Sequence, residues 1–215
     1  MMDHTKIRGN RRLYINCLII LFTISGCVLS FTARDGDALS ARGFASLKYF
    51  TVDSNILAGI ASLEFVLQTV KGGSKRSTEV FKFATASAVG ITFLTVLLLL
   101  GPLYGYRNLY HRANFWFHLV IPVICITEFV VFDSEEITLR ECLWCPAVVL
   151  IYGTFYIINL FASGFENGDW YGFVKWGFAI GLMIFIGICL SAFVVGVLIR
   201  LLNKYVRKNK ENKRL

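Results

Sequence analysis

Charged residues are scarce in this chain. Only 17% of its 215 residues are Asp, Glu, Lys or Arg, whereas 56% are hydrophobic. Soluble domains average about 25% charged and about 45–50% apolar residues. This balance excludes an ordinary soluble domain and predicts an integral membrane protein. Because the spans take up most of the chain, we expect a single membrane domain.

Other familiar signals are also missing. The six cysteines are scattered, so no disulfide framework of a secreted protein is visible. Cys142 and Cys145 form a CxxC, but it has neither the second ligand pair of a zinc site nor the βαβ context of a redox motif. No nucleic-acid-binding module accompanies the net charge of +8. We therefore expect no metal, no cofactor and no nucleic-acid partner.

Six apolar segments approach or exceed the roughly 20 residues that a helix needs to cross a bilayer. The first follows a basic leader at residues 1–12 and fits either a signal peptide or a span. Its length of about 19 residues favours an uncleaved span. We predict an all-α membrane domain of six transmembrane helices at residues 13–202, followed by a basic tail at 203–215. The spans cover about 13–31, 44–70, 80–103, 115–132, 143–163 and 173–202.

The distribution of basic residues predicts the orientation of these spans. Six spans place both termini on one side, and most of the 22 Lys and Arg residues fall on that side. By the positive-inside rule, both termini are cytoplasmic. We expect a multi-pass protein of the plasma membrane whose basic tail attracts anionic lipid.

Polar side chains interrupt the second span at residues 48–55, Lys-Tyr-Phe-Thr-Val-Asp-Ser-Asn. Hydrocarbon contains no water, so each polar group must find a protein partner, line a wet cavity or take part in chemistry. Thr51, Ser54 and Asn55 share one face of a helix because they are spaced i, i+3 and i+4. We expect this face to point into the bundle, whereas Asp53 lies about 200° away from Thr51.

His118 lies at a similar depth in the fourth span, which enters from the same side as the second. At 1.5 Å per residue, Thr51 is roughly 10 Å and His118 roughly 5 Å below the start of its span. A hydroxyl beside an imidazole is the minimum for a nucleophile activated by a general base. In the structural alternative, His118 bonds a carbonyl and Thr51 bonds its own helix. These two residues alone leave both interpretations open.

The order of these residues resembles that of the androgen-induced and androgen-dependent integral membrane proteins and their bacterial relatives. The resemblance covers most of the chain and implies six spans and cleavage of fatty-acid esters of hydroxy fatty acids by an intramembrane threonine and histidine. On that basis Thr51 is the nucleophile and His118 the essential histidine. The matching stretches are Lys48-Tyr49-Phe50-Thr51 with Asn55, Asn114-Phe115-Trp116-Phe117-His118 with Pro122 and Glu128, and, more weakly, residues 168–173.

The expected substrate is an amphipathic lipid ester in the bilayer. Asn55 is a candidate oxyanion donor because its amide lies one turn from Thr51. Ser54 and Asn114 are candidate substrate contacts. The candidate modulators are Lys48, Asp53 and Glu128.

Glu128 is too far from His118 to orient it. The two residues lie ten positions apart on one predicted helix, which is roughly 15 Å. In the cytoplasmic half of the bilayer, we expect Glu128 to snorkel or to pair with Lys71 or Arg140.

The alternative function is a multi-span protein without turnover, either a carrier of lipids or small solutes or an assembly factor. A carrier is expected to contain internal repeats with broken spans in matching positions. No repeat is visible between the two halves of this sequence. This favours the hydrolase.

Overall fold

The computed structural model of the protein describes residues 4–32, 43–73, 75–133 and 136–212, with side chains from Asn10 onward except that of Glu166. Within these ranges the chain consists of helices and turns without strands. Six helices are long and apolar enough to cross a membrane. The architecture is therefore the all-α membrane bundle that the composition predicts.

The six long helices follow one another along the chain. They are α1 (His4–Phe31), α2 (Phe50–Val70), α3 (Arg76–Tyr104), α4 (Ala113–Phe132), α5 (Trp144–Ser163) and α6 (Phe178–Asn212). In the described parts of the connections, four short helical turns lie between them: Gly43–Lys48, Tyr106–Leu109, Glu141–Leu143 and Phe165–Gly168.

Two predicted boundaries are wrong. The second span is interrupted by extended backbone at Tyr49, so Lys48 precedes α2 instead of lying inside it. The sixth helix begins only at Phe178, because Gly172 and Gly177 adopt positive φ angles of 71° and 103° in the preceding turn. This helix also continues to Asn212, so most of the basic tail extends α6.

Helix α3 lies at the centre of the bundle and contacts α2, α4, α5 and α6. Every residue from 82 to 92 is buried. This stretch is rich in Ala, Ser and Gly, which let neighbouring helices approach closely in a membrane protein. The other helices therefore pack around α3.

Proline interrupts the hydrogen bonding of α3 near its end. Residues Val96–Leu100 form a π-helical turn, in which the Gly101 N–H donates to the Val96 carbonyl. The next carbonyl, that of Leu97, would then pair with Pro102, which has no N–H. The Tyr106 hydroxyl donates to it at 2.8 Å. A Cβ at Gly101 would lie 2.0 Å from the Tyr106 ring, so glycine makes this contact possible.

A buried ionic network closes the end of the bundle that holds both termini. Arg12 of α1 forms two hydrogen bonds to Glu79 of α3, at 2.6 and 3.0 Å, and one to Glu128 of α4 at 2.7 Å. Glu128 also pairs with Lys82 of α3 at 3.2 Å. The Phe65 ring of α2 covers both cations, 4.4 Å from the Arg12 guanidinium and 5.4 Å from the Lys82 ammonium.

Two asparagines complete this network. Asn16 of α1 donates to Glu128 at 3.0 Å and accepts from Lys82. Asn203 of α6 donates to the backbone carbonyls of Phe129 and Asp133, at 3.0 and 3.2 Å. The network therefore joins α1, α3, α4 and α6.

The predicted environment of Glu128 is wrong. Its carboxylate is 1% exposed and pairs with Arg12 and Lys82, not with Lys71 or Arg140. Burying the Glu128 carboxylate beside two cations costs less free energy than extending it through hydrocarbon to the membrane surface. The opposite charges and the hydrogen bonds offset the desolvation of each group. Glu128 therefore supports the fold from the end of α4 opposite His118.

We expect Glu128→Gln to lower the free energy of unfolding by roughly 3–5 kcal/mol, because it leaves Arg12 and Lys82 buried with one anion fewer. Thermal unfolding in detergent micelles measures this change. The matched control is Glu136→Gln, at a side chain that is 54% exposed and pairs with Lys204 and Arg207 only at 3.6–3.8 Å. Its expected effect is below about 1 kcal/mol. Equal losses in both variants would contradict a stabilising role of the buried network.

Candidate functional site

The beginning of α2 contacts the beginning of α4 at the end of the bundle opposite the ionic network. Residues Trp116–Val120 of α4 form a π-helical turn in which the Ile121 N–H donates to the Trp116 carbonyl. The Phe117 carbonyl would then pair with Pro122, which has no N–H. The Asn55 amide donates to it at 3.0 Å. The bond lost at Pro122 is therefore replaced by a side chain of α2.

Asn55 also donates to the Thr51 carbonyl, at 2.7 Å. Both hydrogens of its amide are thus engaged, and the geometry does not support Asn55 as a donor to an oxyanion. Its Oδ1 atom is buried and has no hydrogen-bond partner within the described residues. A water molecule or a substrate hydroxyl would find an acceptor there.

His118 lies in the same π-helical turn and is 8% exposed. Its Nδ1 atom is 2.8 Å from the Leu109 carbonyl, in the short helix before α4. Because a carbonyl oxygen only accepts, Nδ1 carries the proton, and the lone pair of the neutral ring lies on Nε2. His118 is therefore oriented as a general base would need to be.

Thr51 lies in the first turn of α2, one turn before Asn55, and is half-buried. In the described part of the chain its hydroxyl forms no hydrogen bond, and none joins it to His118. The structural alternative is thus confirmed at His118, which bonds a backbone carbonyl. It is wrong at Thr51, whose side chain does not bond its own helix. The neighbouring hydroxyl of Ser54 is fully buried and lies 3.4 Å from that of Thr92 on α3.

The remaining predicted residues occupy different places. Asn114 is half-buried in the first turn of α4, four residues before His118, and its side chain forms no hydrogen bond to the described residues. Lys48 and Asp53 line a cavity on another face of α2. Glu128 belongs to the ionic network.

This cavity lies between α2 and α5 and has a volume of about 490 Å³. Its wall is mainly apolar, and Thr51 and His118 are not among its lining residues. The two polar faces of α2 are thus used separately. One contacts the π-helical turn of α4, and the other faces the cavity.

Aromatic side chains cover the cavity near the beginning of α2. The Tyr171 hydroxyl accepts from the Phe50 N–H at 2.8 Å, which satisfies one of the unpaired donors of the helix. The Tyr152 hydroxyl donates to the Lys48 carbonyl at 2.5 Å and accepts from the Trp170 indole at 3.3 Å. Burial, reinforced by Tyr152, raises the pKa of the Tyr171 phenol, so this group stays neutral.

The loop after α5 holds these rings in place through Asp169. Its carboxylate accepts from the Phe173 and Val174 N–H groups, both at 2.9 Å, and from the Tyr156 hydroxyl. Residues 168–173, the weaker stretch of the family resemblance, therefore contribute Trp170 to the cavity wall.

Cys142, in the short helical turn before α5, and Cys145, in the first turn of α5, are both buried, near the end of the bundle that holds both termini. The Cys142 thiol donates to the Thr138 carbonyl at 3.5 Å. Among the described residues, no group of three or more His, Cys, Asp or Glu side chains could hold a metal ion.

Leu109 and Tyr152 contribute to this region although no sequence pattern predicted them, and Pro122 was named only as part of the family resemblance. Leu109 acts through its carbonyl, which any residue possesses, so no side-chain pattern indicates it. Pro122 offered a usable signal, because an internal proline leaves a carbonyl that needs a partner in hydrocarbon. Tyr152 lies in a span that differs little from the other apolar spans.

No protein-family model, no curated protein and no solved structure matches this chain.

We expect Asn55→Ala to lower the free energy of unfolding by about 1–3 kcal/mol, because the Phe117 carbonyl then remains buried without a partner. Thermal unfolding in micelles gives the measurement. Asn114→Ala is the matched control, since that amide forms no hydrogen bond within the described residues. If the two variants unfold at the same temperature, Asn55 does not join α2 to α4 in solution.

Proposed function

We propose that this protein is a membrane-embedded hydrolase of carboxylic esters of amphipathic lipids, with Thr51 as the nucleophile and His118 as the general base. One observation carries the proposal. His118 donates through Nδ1 to the Leu109 carbonyl, so its Nε2 lone pair is free, and the residue belongs to the turn of α4 that contacts the Thr51 turn of α2. The family resemblance assigns the same two residues.

The reaction balances with these two side chains and water. The Thr51 oxygen attacks the ester carbonyl carbon while His118 Nε2 takes the hydroxyl proton. The tetrahedral intermediate expels the alkoxide, which receives that proton and leaves as an alcohol. His118 then takes a proton from water, and the resulting hydroxide attacks the acyl-threonine. Release of the fatty acid returns the hydroxyl to Thr51.

The proposal requires Thr51 and His118 to come within hydrogen-bond distance when substrate binds. Catalytic hydrogen bonds are often long in unliganded structures and tighten in the substrate complex. Asn55 keeps the two turns together through backbone carbonyls.

The proposed substrate approaches from the bilayer. With cytoplasmic termini in the plasma membrane, Thr51 and His118 lie in the outer leaflet, where an ester carbonyl near the lipid headgroups reaches their depth. The basic residues at the end of α6, among them Lys204, Lys208 and Lys210, then lie beside anionic lipids of the inner leaflet.

A carrier or another lipid-binding protein without turnover is the second candidate. The cavity between α2 and α5 favours it, because this cavity is separate from Thr51 and His118. The two functions differ in their dependence on the Thr51 hydroxyl, which only the hydrolase requires.

We expect a lipophilic fluorophosphonate to label the detergent-solubilised wild-type protein at Thr51. Labelling should fall at least tenfold in Thr51→Ala and in His118→Ala, because one variant lacks the nucleophile and the other its base. In-gel fluorescence and mass spectrometry of the labelled peptide provide the measurements. Thr154→Ala and His111→Ala are the matched controls, since both residues are exposed.

The thermal midpoints of all variants distinguish loss of chemistry from loss of fold. Absence of labelling in the wild-type protein, or labelling that is the same in Thr51→Ala, would overturn the hydrolase proposal. The carrier would then become the leading interpretation.

We expect Thr51→Ser to retain part of the hydrolysis of long-chain lipid esters, because serine keeps the attacking oxygen and loses only a methyl group. Thr51→Ala should reduce turnover to background. Release of fatty acid measured by mass spectrometry tests this order. Equal activity of the serine and alanine variants would argue against a nucleophile at position 51.

A further inference from the structure

The cavity between α2 and α5 has the dimensions and wall of a ligand site. Its volume of about 490 Å³ lies within the roughly 300–1,000 Å³ typical of small-molecule pockets. On α5 the lining extends from Val148 to Tyr156, which is about 12 Å of helix. Leu57, Ile151 and Phe155 contribute to an apolar wall suited to an alkyl chain.

Two opposite charges line this cavity without pairing with each other. Lys48 and Asp53 both contribute to its wall. Within the described residues, the Asp53 carboxylate forms neither a hydrogen bond nor an ion pair. A half-buried carboxylate among apolar side chains is costly in a membrane unless a positive group accompanies it.

The local structure explains why the two charges stay apart. The Lys48 ammonium lies over the rings of Tyr49 and Trp170, at 5.3 and 6.0 Å from their centroids. Asp53 is fixed in the first turn of α2, where the helix dipole favours a negative charge but supplies no counter-ion. The space between them is therefore bounded by a cation on one side and an anion on the other.

The backbone positions of the two charged residues also differ in depth. Lys48 precedes α2, whereas Asp53 is the fourth residue of the helix, roughly 5 Å deeper in the bundle. A ligand whose chain lies along the apolar wall would present its positive group to Asp53 and its negative group to Lys48. Its cation must therefore lie closer to the chain than its anion. The rings of Phe50 and Tyr152 near Asp53 suit such a cation.

We propose that this cavity binds a single-chain zwitterionic amphiphile whose ammonium group lies between the alkyl chain and an anionic group. The site lies on another face of α2 from Thr51, and its occupation requires no ester cleavage. It therefore stands independently of the proposed hydrolase.

Two detergents with the same chain and opposite order of charges test this proposal. N-dodecyl-N,N-dimethylglycine carries its ammonium next to the chain, whereas dodecylphosphocholine carries its phosphate there. Scintillation proximity measures binding of tritiated N-dodecyl-N,N-dimethylglycine, below its micellar concentration, to the full-length protein in maltoside micelles. We expect saturable binding of one molecule per chain. Unlabelled dodecylphosphocholine should compete at least about tenfold more weakly, because its phosphate would face Asp53 and its choline group cannot accept the charge-assisted hydrogen bond from Lys48.

Variants of Asp53 and Lys48 test whether each residue binds one of the charged groups of the probe. Asp53→Asn and Lys48→Gln should each raise the Kd of the labelled probe at least about tenfold, while the thermal midpoint confirms that each variant is folded. Lys175→Gln is the matched control, because this lysine is exposed and does not line the cavity. Its Kd should stay within about twofold of the wild-type value.

Several results would overturn the proposal. Equal competition by the two detergents would show that the order of charges is not recognised, and this measurement needs only the wild-type protein. Competition by dodecyltrimethylammonium as strong as that of the probe would indicate a site for cationic amphiphiles, and equally strong competition by dodecanoate a site for anionic ones. Binding that is unchanged in Asp53→Asn would show that the carboxylate does not contribute to the site.

Discussion

Every carbonyl of a helix in hydrocarbon needs a donor from the protein, and two internal prolines leave one carbonyl each without a backbone partner. The chain satisfies both with side chains, Tyr106 at Leu97 and Asn55 at Phe117. The hydrogen bond from Asn55 to the Phe117 carbonyl decides the geometry of the candidate site. It holds the first turns of α2 against the π-helical turn of α4, so Thr51 and His118 occupy neighbouring turns of different helices.

Charge stabilises the opposite end of the bundle. Arg12, Lys82, Glu79 and Glu128 form a buried network that ties α1, α3 and α4 together, and Asn203 adds α6. Buried ion pairs contribute little to stability relative to apolar packing, but they fix which groups meet. The network therefore specifies how these four helices assemble. By fixing their relative positions, it also fixes the positions of the polar residues at the other end of the bundle.

Helix α2 presents two chemically different faces. Ser54 and Asn55 point into the bundle and are fully satisfied except for Asn55 Oδ1, within the part of the chain that the structure describes. The face with Asp53 borders a cavity and carries a charge without a partner there. The first face supports the proposed hydrolysis, and the second supports the proposed binding of a zwitterion. One helix can serve both because residues two positions apart point in nearly opposite directions.

The sequence by itself determined the class of fold, the number of spans and the inward face of Ser54 and Asn55, because hydropathy and the helical period act locally. It also predicted that the second and fourth spans place Thr51 and His118 at a similar depth. Only the tertiary structure decided the partners: Arg12 and Lys82 for Glu128, Leu109 for His118, and Phe117 for Asn55. Each of these contacts joins distant parts of the chain, and composition at a span end does not indicate which charge or carbonyl will face it.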